Sequence, residues 1–279
     1  MSMKKIVTIQ DISCVGKCSL TVALPIISAM GVETAIIPTA VLSTHTMFKN
    51  FTFHDLTSEI IPIAEHWKSE NIGFDAIYTG YLGSFEQIDI VSKFFEDFKT
   101  DDNLIFVDPV MADNGKLYPA FNEAFAKEMA KLCGKADIIV PNLTEAHFMT
   151  DIPYKESYDE TYIKEMLQAL LALGPKIAVL TGVCLEPGKT GIMGLNGETG
   201  EYFHYYHERL DAIYHGTGDI FASTTVGALM NGKGISESFK IAADYTLETI
   251  RATMNSEDKA WYGVDFETTI PLLLKILGK

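Results

Sequence analysis

The stretch "DAIYHGTGDIFAST", residues 211–224, places a threonine between two glycines and follows them at once with an acid. Gly216 and Gly218 can adopt positive φ and turn successive amide hydrogens into one concavity that suits an anion. The run from Ile220 has helical spacing, so this turn is predicted at the positive end of a helix. Asp219 then has two interpretations: it caps the helix, or it receives the proton of a hydroxyl that attacks a phosphoryl group.

Upstream of this turn the chain alternates between strand-like and helix-like segments. The predicted strands are "KKIVTIQ" (4–10), "TAIIPTAV" (34–41), "DAIYTG" (75–80), "NLIFVDP" (103–109), "ADIIVP" (136–141) and "KIAVLTG" (176–182). The predicted helices cover residues 19–30, 56–69, 88–98, 122–132 and 160–173, with a further short helix from Thr144. This alternation predicts a mostly parallel sheet with helices on both faces.

The pattern changes between Thr190 and Tyr206. Two strand-like runs, "TGIMGLN" and "EYFHYYH", flank "GETG" and predict an antiparallel hairpin at a sheet edge. Three helices, predicted to begin at Asp219, Ile235 and Phe266, complete the chain. Without a linker, a low-complexity tract or an internal repeat, the sequence predicts one domain over residues 1–279.

Composition limits the partners that this chain can have. Its 279 residues are 47% apolar and carry a formal net charge of −15, which favours a folded globular protein and argues against nucleic acid as a partner. No apolar run is long enough to span a membrane and the N-terminus lacks a signal-peptide pattern, so we expect a cytoplasmic protein. The four cysteines, at positions 14, 18, 133 and 184, are interpreted as structural or free thiols rather than as a metal site.

Ligands of such sheets bind beyond the carboxyl ends of the strands, so the residues at the end of each predicted strand, or just after it, form one candidate rim. They are Gln10, Asp11 and Ser13; His45 and Thr46; Tyr81; Asp108 and Asp113; Asn142 and Glu145; and Thr181 and Gly182. The carboxylates of Asp108, Asp113 and Glu145 could hold Mg²⁺ together with phosphates, although each acid could equally cap a loop or a helix. Tyr81 could stack on a flat ring or cover the core edge. His45 could be a metal ligand or an acid, or it could be a hydrogen-bonding or packing residue.

The ordered motifs "TIQDIS" (8–13), "STHTMF" (43–48), "TGYLGS" (79–84), "DPVMAD" (108–113), "PNLTEA" (141–146), "LTG" (180–182) and "GTGD" (216–219) carry a resemblance. The sequence resembles the ribokinase-like superfamily nearly end to end, and within it the pyridoxal and pyridoxamine (vitamin B6) kinases. That resemblance implies a three-layer α/β/α sandwich whose mostly parallel central sheet has an antiparallel edge hairpin. It also implies ATP-dependent phosphorylation of the 5′-hydroxymethyl group of a B6 vitamer.

Residue roles follow from the resemblance. Asp219 would be the catalytic base, with Gly216, Thr217 and Gly218 as the anion hole. ATP phosphates and their Mg²⁺ would be approached by Asp108, Asp113, Asn142, Glu145, Thr181 and Gly182, with Asp108, Asp113 and Glu145 closest to the metal. Asp11, Ser13, Thr46 and Tyr81 would hold the vitamin ring under a flap around residues 43–53. With an ordinary pKa of about 3.9, Asp219 would be a weak base that accepts its proton late. An activating K⁺ and a homodimer are implied by the resemblance alone.

Asp11 departs from the family pattern, because many pyridoxal kinases have a serine there. An acid at this position could favour a cationic substrate such as pyridoxamine or a protonated pyridine nitrogen. Two alternatives stay open: a hydroxymethylpyrimidine kinase of thiamine synthesis, and a ligand-binding homologue without catalysis. A sugar kinase is disfavoured, because no inserted β pattern for a lid follows the first strand.

Overall fold

The computed structural model describes residues 3–279 and has the predicted α/β architecture, with mostly parallel strands and with helices on both sides of the sheet. Its strands are β1 (Lys5–Val15), β2 (Glu33–Thr44), β3 (Phe53–Asp55), β4 (Ala76–Thr79), β5 (Leu104–Val107), β6 (Ala112–Asp113), β7 (Lys116–Leu117), β8 (Ile138–Ile139), β9 (Ile177–Val183), β10 (Lys189–Asn196) and β11 (Tyr202–Glu208). Its helices are α1 (Leu20–Ala29), α2 (Thr57–Ser69), α3 (Phe85–Phe98), α4 (Glu123–Cys133), α5 (Leu143–Thr150), α6 (Glu160–Ala172), α7 (Thr217–Met230), α8 (Ile235–Asn255) and α9 (Ile270–Leu277), the last preceded by a 3₁₀ turn over Phe266–Thr269.

The chain divides into two compact units. Unit 1 contains the described residues through Tyr78 together with Leu210–Lys279, and unit 2 contains Thr79–Arg209. The sequence-based expectation of one domain over 1–279 stays a prediction.

In unit 1 the strand order is β4, β1, β2, β3. β1 and β2 are parallel and stay paired from Lys5 opposite Glu33 to Val15 opposite Thr44, with a register shift between Gln10 and Ile12. β3 pairs with β2 in the antiparallel direction. β1 therefore runs five residues beyond its predicted end.

Helix α7 lies at the centre of the packing in unit 1. It is enclosed around its whole circumference, since every residue from Ile220 to Ala228 is buried, including the polar residues Ser223, Thr224 and Thr225. Ile220 and Ala228 share a core cluster with residues of α1, α8 and α9. Gly227 allows the close approach of α1, because a Cβ atom there would come within 2.4 Å of the Met30 sulfur. The body of α7 is thus enclosed in the core of unit 1, while the residues of its first turn stay partly exposed.

In unit 2 the strand order is β11, β10, β9, β8, β5. β5, β8 and β9 are parallel, whereas β9, β10 and β11 are antiparallel neighbours. This arrangement confirms the predicted edge hairpin, whose turn closes where the Gly200 amide donates to the Asn196 carbonyl at 2.8 Å. A second, very short hairpin of β6 and β7 was not predicted, since two-residue strands carry no periodicity.

Most predicted helices begin and end within one or two residues of their observed bounds, and α3 begins three residues earlier than expected. The placement of one site segment in a loop was wrong. Asp11 and Ser13 lie inside β1, because "ISCV" continues the parallel pairing with β2. Thr181 and Gly182 lie inside β9, within the strand predicted over residues 176–182, and β10 pairs with β9 as far as Val183. No helix within residues 3–279 is both long and apolar enough to cross a membrane.

Candidate active site

The glycine turn before α7 has the geometry that an anion site needs. Gly216 occupies the N-cap position with φ +81°, in the left-handed region that favours glycine. A Cβ atom at this position would lie only 2.0 Å from the carbonyl oxygen of Lys17, so no side chain fits. The Ile220 amide donates to the Gly216 carbonyl at 3.0 Å and starts the helix, and no side chain caps the helix N-terminus. The amides of the first turn thus remain available at the positive end of the helix dipole.

Asp219 is the third residue of α7 and its carboxylate does not cap the helix. Burial raises the pKa of Asp219 to about 7, an effect that the Ser19 backbone amide opposes and the nearby Asp11 carboxylate increases. The sequence-based assumption of an ordinary Asp pKa was therefore wrong. A carboxylate with a pKa near neutrality is a better general base than an exposed one, because its proton affinity matches the working pH.

Asp11 lies next to Asp219 and is itself 5% exposed. Burial raises the pKa of Asp11, partly offset by hydrogen bonds from the side chains of Ser19 and Ser13, the latter at 3.0 Å. Cys18 lies against both acids: burial, and then the charges of Asp219 and Asp11, raise the pKa of its thiol to about 12. The structure therefore brings two acids and a protonated thiol together where the sequence predicted a base and a ring contact.

His45 follows β2. It makes hydrogen bonds within the protein, which is one of the two roles considered for it from the sequence. Its Nε2 donates to the Tyr262 carbonyl at 3.0 Å and its Nδ1 accepts the Met47 amide at 3.2 Å, which together require the neutral ring. Burial lowers the pKa of His45 in keeping with this. Thr46 is exposed in the turn between β2 and β3. The predicted flap around residues 43–53 is thus the end of β2, this turn and the start of β3.

The second group of predicted site residues lies in unit 2, around the N-terminus of α5. Asn142 is the N-cap, and with Glu145 it forms a capping box. Glu145 is 3% exposed, and its two oxygens accept the amides of Asn142 at 2.8 Å and Met111 at 3.2 Å. Burial raises the pKa of Glu145 to about 8, despite these bonds. Thr181 belongs to the same group, because it forms a parallel bridge with Asn142.

Asp108 and Asp113 contribute two further carboxylates near Glu145. Asp113 is exposed and its charge adds to the raised pKa of Glu145. Asp108 is buried, and burial together with the charges of Glu145 and Asp108 raises the pKa of the Cys133 thiol. Among the residues that the structure describes, no group of three or more His, Cys, Asp or Glu side chains is arranged to hold a metal ion. The magnesium site predicted on Asp108, Asp113 and Glu145 therefore stays a prediction.

Two more predicted residues of unit 2 have clear surroundings. Gly182 is exposed in β9 with φ +68°. Tyr81 is half-buried after β4, with its ring centroid 5.5 Å from that of Phe121. Tyr81 therefore packs on the core edge on one side, and this contact leaves the ring-stacking prediction untested.

Sequence reasoning missed the segment that faces Asp219, namely Lys17, Cys18 and Ser19. Lys17 and Ser19 have φ values of +48° and +51°, which non-glycine residues rarely adopt. No periodicity or motif reports such a conformation. The one available signal was the position of "GKCS" between a predicted strand and a predicted helix.

Comparison with known proteins places these features in a family context. The model of the phosphomethylpyrimidine kinase family matches residues 23–262. A Bacteroides thetaiotaomicron protein, provisionally named a phosphomethylpyrimidine kinase and crystallised with pyridoxal, is 43% identical with a TM-score of 0.92, covering 98% of this chain and 96% of that one. Pyridoxal kinase from Lactobacillus plantarum is 31% identical with a TM-score of 0.89, covering 99% and 98%. Pyridoxine kinase of Bacillus subtilis (strain 168) is 29% identical over 188 residues, which are 66% of each chain.

Proposed function

The chain belongs to the phosphomethylpyrimidine kinase family, and we propose that it is an ATP-dependent kinase that phosphorylates the 5′-hydroxymethyl group of a B6 vitamer. The family match covers most of the chain, and the fold agrees with the ribokinase-like superfamily that the sequence resembles. Two similar proteins are named pyridoxal kinase and pyridoxine kinase, and the Bacteroides thetaiotaomicron protein, provisionally named a phosphomethylpyrimidine kinase, was crystallised with pyridoxal.

The observation that carries the proposal is the start of α7. An uncapped helix N-terminus with a glycine that tolerates no side chain provides free amides for phosphoryl oxygens. Three residues later, Asp219 has a pKa of about 7 and no capping bond. An anion site beside a tuned carboxylate is what phosphoryl transfer to a hydroxyl requires.

In the proposed reaction Asp219 accepts the proton of the hydroxymethyl oxygen while that oxygen bonds to the γ-phosphorus of ATP. The bond from the γ-phosphorus to the β,γ-bridging oxygen breaks, and ADP leaves with that oxygen. The amides of Thr217 and Gly218 and the backbone of Gly216 bind the negative charge of the transferring group. Since the pKa of Asp219 is about 7, the carboxylate form that can act as base predominates only above neutral pH.

For ATP we propose Asn142, Thr181 and Gly182 near the phosphates, with Asp108, Asp113 and Glu145 around a Mg²⁺ ion. Bound magnesium would neutralise phosphate charge, which an acidic protein with a net charge of −15 needs. Glu145 already orients the amides of Met111 and Asn142, so it would act partly by holding that backbone in place. An activating K⁺ is also proposed, on the resemblance alone.

For the vitamin ring we propose Asp11, Ser13, Thr46 and Tyr81. Asp11 and Asp219 repel each other, so a cationic group on the substrate would relieve their repulsion. This favours pyridoxamine or a protonated ring nitrogen. Comparing kcat/KM for pyridoxamine and pyridoxal in the native protein and in Asp11→Ser tests the idea, and an unchanged preference would contradict it.

Three broader statements are also proposals. We propose a single kinase domain over residues 1–279, because the sequence shows no linker, low-complexity tract or internal repeat. We propose a homodimer from the resemblance alone. We propose a cytoplasmic location, where ATP is supplied.

The second candidate is a hydroxymethylpyrimidine kinase. Its support is the name of the matching family, whose substrate offers a similar hydroxymethyl group on a heteroaromatic ring. B6 phosphorylation is preferred because two of the similar proteins are named pyridoxal and pyridoxine kinases.

The decisive experiment measures ATP consumption with Mg²⁺ and K⁺ for pyridoxal, pyridoxine, pyridoxamine and hydroxymethylpyrimidine. Native protein and Asp219→Asn are compared, with the fold of the variant checked by circular dichroism. B6-dependent turnover that is lost in the variant would support the proposal. Turnover with the pyrimidine alone would assign the second candidate, and no turnover with any acceptor would favour a binding homologue.

A further inference from the structure

Lys17 lies in the loop between β1 and α1, in a conformation that has to be stabilised by its surroundings. Its φ of +48° and that of Ser19, +51°, lie in the left-handed region. For residues with a Cβ atom this region costs about 1–2 kcal/mol per residue. Two such residues within three positions indicate that tertiary contacts determine the path of this loop.

The side chain of Lys17 supplies those contacts. Its Nζ lies 2.7 Å from Asp265 Oδ1 and 3.0 Å from Glu267 Oε2, and the Lys17 and Asp265 side chains are only 19% and 17% exposed. The Asp265 amide in turn donates to Thr253 Oγ1 on α8 at 2.8 Å. Gly263 leaves the space that the Lys17 side chain occupies, because a Cβ atom at position 263 would come within 2.5 Å of the Lys17 Cβ. Lys17 is therefore tied through Asp265 to a long helix.

The backbone of the same residue abuts the proposed anion site. The Lys17 carbonyl oxygen occupies the space that a side chain at Gly216 would need. Two residues later, the Ser19 amide bonds to Asp219. A displacement of Lys17 would thus move the carbonyl that packs against Gly216. It would also move the Ser19 amide that donates to Asp219.

We propose that Lys17 is a positioning residue, whose ion pairs with Asp265 and Glu267 hold loop 16–19 against Gly216 and so fix the anion-binding turn and Asp219. None of these three side chains needs to touch a substrate for this role. The inference concerns the geometry of the turn, and only its kinetic consequence rests on the proposed kinase function.

Hydrogen exchange tests the geometry without any assumption about activity. In Lys17→Met the Ile220 amide, which bonds to Gly216, should exchange about tenfold faster than in the native protein, because its local stability is lowered. Lys17→Arg should restore slow exchange, since it keeps the charge. Lys5→Met removes another lysine of unit 1, paired with Glu33, and should leave Ile220 unchanged. If Lys17→Met does not fold, Asp265→Asn replaces it, with the same expected increase.

Kinetics provide the second readout. We expect Lys17→Met to lower kcat by about 10- to 100-fold with little change in the KM for ATP or acceptor, because a misplaced base and anion hole act on the transition state. Unchanged exchange at Ile220 in both Lys17→Met and Asp265→Asn would overturn the inference. If the native protein phosphorylates no acceptor, the proposed function fails, while the exchange result still decides the role of Lys17.

Discussion

Replacing Asp219 by asparagine should lower kcat by about 10²–10⁴ and, above neutral pH, make the protein more stable. The folded protein raises the pKa of this carboxyl from 3.8 to about 7, mainly by burial. Folding therefore disfavours its charged form, and a neutral residue of the same shape removes that cost. The side-chain oxygen of the introduced asparagine can still accept the Ser19 amide, so the substitution loses little hydrogen bonding.

The magnitude follows from linkage. Each pKa unit is equivalent to about 1.36 kcal/mol, so a shift of about three units corresponds to about 4 kcal/mol at most. Asp219 is only half-buried, and solvent screening reduces this to about 1–2 kcal/mol. The sign follows from the raised pKa. The native protein has its full free energy of unfolding below about pH 4, where the Asp219 carboxyl is protonated in both states, and loses part of it as pH rises toward 7. The advantage of the variant should therefore grow between these values and stay constant above 7.

Urea unfolding of both proteins at about pH 4.5, 6 and 8 measures this advantage, with unchanged m-values as the two-state check. Asp75→Asn is the matched control. Burial raises the pKa of Asp75, but bonds from Lys4 and the Lys5 amide outweigh it and lower that pKa, so the control should be less stable than native at pH 8. In the kinase assay, Asp219→Asn should lose about 10²–10⁴ in kcat. The burial argument would be refuted if Asp219→Asn were less stable than native at pH 8, or if it were stabilised by the same amount at every pH.

Three further outcomes follow from the structure. Gly216→Ala should lower the free energy of unfolding by about 3 kcal/mol or more and abolish turnover, because its Cβ would collide with the Lys17 carbonyl. Gly232, with φ +77°, has open space around it, so Gly232→Ala should cost only about 1–2 kcal/mol of backbone strain. Urea unfolding of the two variants measures the difference. The rate profile should show an acidic limb with a midpoint near the pKa of Asp219, about 7, since protonation removes the base, and a limb near pH 4 would contradict this. Asp137→Asn should lower the free energy of unfolding by about 1.5–3 kcal/mol at pH 7. Burial raises the pKa of Asp137, but bonds from Lys99, Lys176 and the Ile105 amide outweigh it and lower that pKa. In urea unfolding, the loss of stability should therefore shrink as pH falls below about 4.

Elements that depend on local pattern were predictable from the sequence. The α7 helix and the β10–β11 hairpin have runs long enough for periodicity to define them, and "GTGD" marks the turn by its glycines. The extension of β1 to Val15 was not predictable in this way, because it results from pairing with β2 across the sheet. Its consequence is chemical: it places Asp11 in a buried strand rather than in a solvated loop.

The electrostatics of the candidate site could not be predicted either, because they depend on which residues surround a carboxyl in space. Asp219 and Glu145 both stand near helix N-termini in the sequence, yet only Glu145 forms a capping box. The two helices differ in their N-cap residue. The Asn142 side chain completes the box in α5, whereas Gly216 has no side chain and leaves the amides of the first turn of α7 without a side-chain cap. The glycine thus determines two properties at once. It allows the Lys17 carbonyl to approach, and it provides no side chain for a capping box, which agrees with the base role proposed for Asp219.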